Sequence, residues 1–215
     1  LGFHLVSFIA AVRLTSVANA TFLVNTGPVF VAILAPTIIR ERVSRRDLVS
    51  AAIAVSGIGF ATLWTGSSGR WSLTGDLLAL LAAALASFYT IIGRELRSRI
   101  NATRYILLVY LSATVPLFPL ALSMESLTVS SKYSETDMLA ILGLVLIPTI
   151  LGHGLYNYSL RYVKAMTANV FALLEPVIAS LLGLMLFGEE PTRVQVIGYA
   201  LIVLALFNLG RSRPR

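Results

Sequence analysis

Residues 161–189 read RYVKAMTANVFALLEPVIASLLGLMLFGE, and residues 13–41 read RLTSVANATFLVNTGPVFVAILAPTIIRE. Laid on each other without a gap, at an offset of 148, they match at Arg13 and Arg161, Ala20 and Ala168, Pro28 and Pro176, Val29 and Val177, Leu34 and Leu182, and Glu41 and Glu189. Each identity is cheap in so apolar a chain. Arg, Pro and Glu landmarks holding one register over 28 residues are not, and self-similarity at a fixed spacing marks a repeated unit. Weaker matches extend the register, Ser44 with Thr192, Arg45 with Arg193 and Val55 with Val203.

Around these stretches the chain is mostly apolar. Of its 215 residues 57% are hydrophobic and 13% charged, against about 25% charged in an ordinary soluble domain. Too few charges remain to coat a water-soluble globule. Soluble enzymes, nucleic-acid binders and disordered tails are therefore excluded, although 17 basic residues stand against 10 acidic ones. Cysteine is absent, so there is no disulfide framework, no thiol chemistry and no cysteine metal site.

A membrane-crossing helix needs about 20 mainly apolar residues. Eight runs qualify as candidates: Leu1–Val12, Ala18–Ile39, Leu48–Thr65, Leu77–Gly93, Tyr105–Met124, Met138–Leu160, Ala165–Gly188 and Val194–Gly210. They are continuous and rich in Leu and Ala, without the alternation of a membrane β-barrel. The expected fold class is an all-α integral membrane bundle of eight helices. Pro28, Pro116, Pro119, Pro148 and Pro176 fall inside runs, where neighbouring helices can satisfy the backbone groups they free. The first run is too short to span and lacks the basic leader of a signal peptide, so the sequence is read as starting inside a helix.

Short-loop arginines and lysines set orientation. One side collects Arg40, Arg42, Arg45, Arg46, Arg94, Arg97, Arg99, Arg104, Arg161, Lys164, Arg211, Arg213 and Arg215. The other holds only Arg13, Arg70, Lys132 and Arg193, together with the acidic Glu125, Glu135 and Asp137. The basic side is read as cytoplasmic, with the C-terminus inside, in a cell (inner or plasma) membrane. The excess of positive charge is thus topology and no nucleic-acid surface.

The repeat maps runs one to three onto runs six to eight. Five spans separate each pair, an odd number, so equivalent helices cross in opposite directions. Inverted repeats are a signature of secondary transporters, with the substrate site near the midplane between the halves. Runs four and five have no partners ahead of Leu1. The expectation is a ten-helix, five-plus-five transporter whose first two helices are absent here. Residues 1–70 would then hold the last three helices of the first repeat, and residues 71–215 the complete second repeat.

The segment from Arg161 through Asn169, Glu175 and Pro176 to Gly188 and Glu189 resembles the EamA-type branch of the drug/metabolite transporter superfamily. Arg13 through Asn19 and Pro28 to Arg40, Glu41 and Arg42 looks like its N-terminal copy. The resemblance implies a transporter of amino acids, other metabolites or toxic compounds, usually outward, by alternating access.

An ionisable group near the middle of a span is a functional candidate. Glu175, beside Pro176, is the one such carboxylate. Two chemistries suit it, facing a cationic or zwitterionic substrate or exchanging a proton during the cycle; a neutral Glu tied to a backbone carbonyl is the structural alternative. His153 and Asn157, four apart, share a helix face, with Tyr156 and Tyr158 beside it. They suit a polar cavity wall. Thr21, Asn25 and Pro28 form a stripe whose repeat counterparts are Asn169, Leu173 and Pro176; the prolines would shape the path and the polar residues line it. Tyr89, with Ser87, and His4 are weaker candidates. Glu41 and Glu189 are expected to anchor helix ends or to pair with Arg42 or Arg193.

No GxGxxG, Walker A, HExxH or GxSxG pattern occurs, nor any zinc-ligand spacing. No cofactor, metal or catalytic group is expected. With no Lys or Arg deep in a run, amino acids or organic cations are favoured over phosphorylated substrates. The rival reading is a membrane-embedded enzyme using Glu175 and His153 as an acid–base pair, which no nucleophile or metal motif supports.

Overall fold

The computed structural model of the protein describes residues 1–63, 71–124 and 134–210. Trp64, Arg70, Glu125, Lys132, Arg211, Arg213 and Arg215 lie outside these residues. Among the described residues every regular element is helical and none is a strand. Eight helices follow one another: α1 (Gly2–Leu14), α2 (Val17–Ile38), α3 (Arg45–Leu63), α4 (Leu73–Arg99), α5 (Ala102–Met124), α6 (Glu135–Ser159), α7 (Ala165–Phe187) and α8 (Arg193–Gly210). All but α1 are long and apolar enough to cross a membrane. The chain is a multi-pass helical bundle, as the apolar runs predict.

Two of the spans are broken. α2 consists of Val17–Val24 and Gly27–Ile38, and α7 of Ala165–Ala172 and Glu175–Phe187. In each, a proline opens the second half, where its missing N–H and fixed φ are tolerated and its ring blocks continuation from the preceding turn. Tight turns take over at the breaks, through Thr26 N–H to the Leu23 carbonyl (3.1 Å) and Leu173 N–H to the Val170 carbonyl (3.1 Å).

The far ends of α2 and α7 also correspond. Each is followed by a left-handed residue, Arg40 (φ 54°) and Gly188 (φ 70°). Each is then followed by a glutamate whose amide turns back on its helix, Glu41 to the Ala35 carbonyl (3.2 Å) and Glu189 to the Gly183 carbonyl (3.3 Å). The next helices open with reciprocal caps. Ser44 and Asp47 bond each other's backbone amides at 2.8 and 3.1 Å, and Thr192 and Gln195 do so at 2.8 and 3.3 Å. Each of these landmarks lies 148 residues from its counterpart.

α6 carries a π-helical stretch, Val145–His153, around Pro148. The wide turn frees carbonyls, and side chains take them up: Thr149 Oγ1 donates to Leu144 (3.0 Å), and Tyr110 of α5 donates to Thr149 (2.6 Å).

The main core lies where α3 and α8 pack along each other. Ala51, Ala54 and Ile58 meet Ile202, Ala205 and Leu209, with Val31 and Ala35 of α2 and Met166 and Val170 of α7 closing the cluster. The backbones touch at Gly57 and Gly198. A Cβ on Gly198 would stand 2.5 Å from the Gly57 carbonyl oxygen, and one on Gly57 would stand 2.7 Å from the Gly198 oxygen. Between lipid-immersed helices, where apolar burial gives little net drive, such close approach is what small residues supply.

Gly198→Ala is therefore expected to destabilise the protein by about 1–3 kcal/mol, because its methyl meets backbone that must shift. Gly143→Ala, with nothing within 4 Å of the new Cβ, should be neutral or stabilising by about 0.5–1 kcal/mol. Unfolding midpoints in detergent micelles check this; equal effects at both glycines would contradict the α3–α8 contact.

Candidate substrate path

A layer of neutral polar groups runs from the break in α2 to the first half of α7 and on to α6. Gly27, first residue of the second half of α2, presents its carbonyl to Ser87 Oγ of α4 at 3.0 Å. Against the same glycine lies Asn169 of α7, whose Oδ1 would stand 2.5 Å from a Cβ placed there. Only glycine leaves room for it. The Asn169 amide reaches Thr90 Oγ1 of α4 (3.5 Å), and Thr90 shares a 2.6 Å hydrogen bond with the Tyr156 hydroxyl of α6. One residue on, the Tyr89 hydroxyl donates to Asn157 Oδ1. Asn157 is fully buried, and its Nδ2 is the one buried side-chain nitrogen or oxygen without a partner among the described residues. Side chains from α4 and α7 thus meet the broken backbone of α2, and those of α6 join them through Tyr89 and Thr90.

Tyr89, Asn157 and Asn169, three of the candidates read from sequence, meet here with Pro28, which is buried beside Gly27. Thr21 and Asn25 take a different part. Asn25 Nδ2 donates to the Thr21 carbonyl at 2.8 Å, covering an acceptor within α2 itself. Glu175 and His153 lie on exposed positions, Glu175 as the first residue of the second half of α7 and His153 at the end of the π-helical stretch. His4 Nδ1–H, on α1, donates to the Ala82 carbonyl of α4 at 2.8 Å. Tyr89, Asn157 and Asn169 therefore share an amide–hydroxyl layer, while Glu175 and His153 lie apart from it on exposed positions, with the partly buried His4 on α1.

Comparison with known proteins places the chain. Residues 1–63 and 73–210 match the EamA-like transporter family. The chain belongs to that family. A protein of Archaeoglobus fulgidus described as an uncharacterized transporter is 29% identical over 96% of this chain and 72% of its own length. A Salmonella typhimurium protein named a probable amino-acid metabolite efflux pump is 25% identical over 87% of this chain and 65% of its own length. A Streptantibioticus cattleyicolor protein named a probable terminal-alkyne amino-acid exporter is 23% identical, covering 90% of this chain and 64% of itself. The fold agrees too: one crystal structure superposes with a TM-score of 0.79 at 17% identity, over 96% of this chain and 71% of that one. Relatives in this EamA family are named as transporters, which leaves the membrane-enzyme alternative without support.

In this EamA chain the layer is sealed at one end by charge, through residues that sequence reading leaves in a loop. α4 continues past Gly93 to Arg99, and Arg97 is 1% exposed. Arg97 Nε donates to the Asn157 carbonyl (3.1 Å), and Arg94 donates to the carbonyls of Leu160 (3.1 Å) and Arg161. Both cations thus sit at the carbonyl-rich C-terminal end of α6, where the helix dipole favours them. Arg94 Nε also pairs with Glu41 at 3.3 Å, so the partner of Glu41 is Arg94 and not the adjacent Arg42.

Tyr89→Phe should cost about 1 kcal/mol of stability, because it leaves Asn157 Oδ1 buried without its donor. A double-mutant cycle with Asn157→Leu should return a coupling of about 0.6–1.7 kcal/mol, the span measured for interhelical hydrogen bonds in membranes. Additive effects in mixed-micelle unfolding would show that the pair does not interact.

Proposed function

We propose that the chain exports small metabolites, amino acids or organic cations, across the cell membrane by alternating access between two inverted repeats. Residues 1–70 carry helices of the first repeat and residues 71–215 the second. The observation that carries this reading is the pair of broken helices. α2 and α7 are interrupted 148 residues apart, end on matching left-handed residues, and meet one polar layer between them. Discontinuous helices from two repeats, with polar side chains between, are how secondary transporters build a substrate site without lipid-exposed backbone.

Membership in the EamA-like family supports transport, and the names of the Salmonella and Streptantibioticus relatives favour amino acids and outward movement. The basic end, with Arg42, Arg94, Arg161 and Lys164, faces the cytoplasm by the rule that governs short loops, and the C-terminus lies with it. Glu175, exposed at the start of a half-helix, receives the substrate's ammonium group or exchanges a proton for it. Asn157, Asn169, Tyr89, Asn25 and Thr21 line the path, and Pro28 and Pro176 shape it.

Counterflow in proteoliposomes with a panel of amino acids and cationic drugs tests this. Glu175→Gln should weaken the apparent affinity for cationic or zwitterionic substrates about tenfold, the loss of one charge-assisted hydrogen bond. Unchanged uptake with an unchanged pH profile would remove Glu175 from the path.

A further inference from the structure

The glutamates that follow α2 and α7 are built alike and used differently. Glu41 leaves a left-handed turn, and its Oε1 accepts the backbone N–H of Ala165 at 2.9 Å. Ala165 is the first residue of α7, whose preceding Lys164 provides no side-chain cap. The carboxylate therefore satisfies one of the amides that a helix start leaves open. Its other oxygen holds Arg94 (3.3 Å), and Lys164 Nζ reaches back to the buried Asp47 at 3.4 Å. The end of α2 and the start of α3 are thus fastened to the start of α7.

The same parts exist at the opposite end. The counterpart of Glu41 is Glu189, that of Ala165 is Val17, and those of Lys164 and Asp47 are Ser16 and Gln195. Ser16 caps Asn19 N–H at 3.1 Å, which leaves the first amide of α2, at Val17, for an acceptor from outside the helix. Glu189 makes no hydrogen bond or ion pair through its carboxylate among the described residues; the group folds over Gly183 of its own helix, and Glu189 and Val17 are both exposed. One end is latched and the other is not.

We infer that Glu41 and Glu189 are alternating latches, each closing one mouth of the transporter by capping the first half of the other repeat's broken helix. Glu41 is engaged in the present state, which is shut at the basic end. When Glu41 releases Ala165, Glu189 takes the amide of Val17 and the opposite mouth shuts. The inference rests on the alternating-access reading, and supplies the groups that make the two states exclusive.

The chain has no cysteine, so nitroxide pairs can be introduced directly for double electron–electron resonance. Arg42→Cys with Tyr162→Cys spans the basic mouth, and Val17→Cys with Glu190→Cys spans the other; all four positions are exposed. In nanodiscs, Glu41→Ala should move the open-to-closed ratio of the basic mouth toward open by about 2- to 5-fold, the range for a carboxylate at a helix N-terminus. Glu189→Ala should deplete the closed population of the other mouth by a similar factor. Glu41→Gln, whose amide oxygen still accepts from Ala165, should recover part of the closure. If both mouths exchange in the parent chain but the two alanine variants leave the populations unchanged, or bias the same mouth, the latch is wrong. If each mouth of the parent shows one fixed distance with and without substrate, alternating access fails and the latch with it. Thermal midpoints within a few degrees of the parent confirm that Glu189→Ala, at an exposed site, reports on gating and not on folding.

Discussion

Inside a bilayer a peptide group released by a helix break has no water to turn to, and each such group left unsatisfied costs several kcal/mol. The structure breaks two of its spans and must meet that cost locally. Part is covered within the helix: Asn25 Nδ2 returns to the Thr21 carbonyl and Thr26 Oγ1 to that of Leu23. The rest comes from other helices, as when Ser87 of α4 donates to the Gly27 carbonyl. The break in α2 thus draws Ser87 from α4, and Tyr89, Thr90, Tyr156, Asn157 and Asn169 extend the polar layer from there through side-chain hydrogen bonds. Because the groups are hydroxyls and amides, they exchange partners without transferring a net charge through hydrocarbon.

The layer depends in turn on small residues. Asn169 comes close to α2 only because position 27 has no side chain, and α3 meets α8 backbone to backbone only because Gly57 and Gly198 coincide. Backbone contacts of this kind suit the alternating access proposed above, since interfaces that switch are bistable and not continuously deformable.

How much of this is legible in the sequence follows from the range of each signal. Hydropathy acts over about 20 residues, and all eight runs become helices. Their ends are less legible. α4 runs six residues beyond Gly93 because Arg94 and Arg97, which read as loop charges, find carbonyls at the end of α6, 66 and 60 residues away. Periodicity puts His153 and Asn157 near one face, yet His153 is exposed and Asn157 buried, because Tyr89 and Arg97 of α4 cover Asn157. A face can be read from spacing, but the neighbour it meets cannot. For that reason Tyr89, Asn157 and Asn169 are recognisable as candidates, whereas the roles of Thr90, Tyr156 and Arg97 emerge only when α4, α6 and α7 are brought together. The register between the repeats is different again, because local code carries it: two prolines, two left-handed residues and two reciprocal caps are each written in fewer than five residues.

The placing of charge follows from the same constraint. A charge at the centre of a span costs about 2.5–3.5 kcal/mol on insertion scales, paid whenever its partner leaves. At a helix end water is near, so a carboxylate can be engaged in one state and solvated in another at small cost. Glu41, half-buried against Arg94 and Ala165, and Glu189, exposed over its own helix, are those two conditions of one structural element in a single molecule. Pairs that must form and dissolve in each cycle therefore belong at the mouths, and neutral groups at the midplane. Glu175 departs from this division, a carboxylate at an internal break. It is also exposed, and it stands at the start of a half-helix, where the dipole favours an anion. Its carboxylate makes no hydrogen bond or ion pair among the described residues, so the substrate contact proposed for it would displace none.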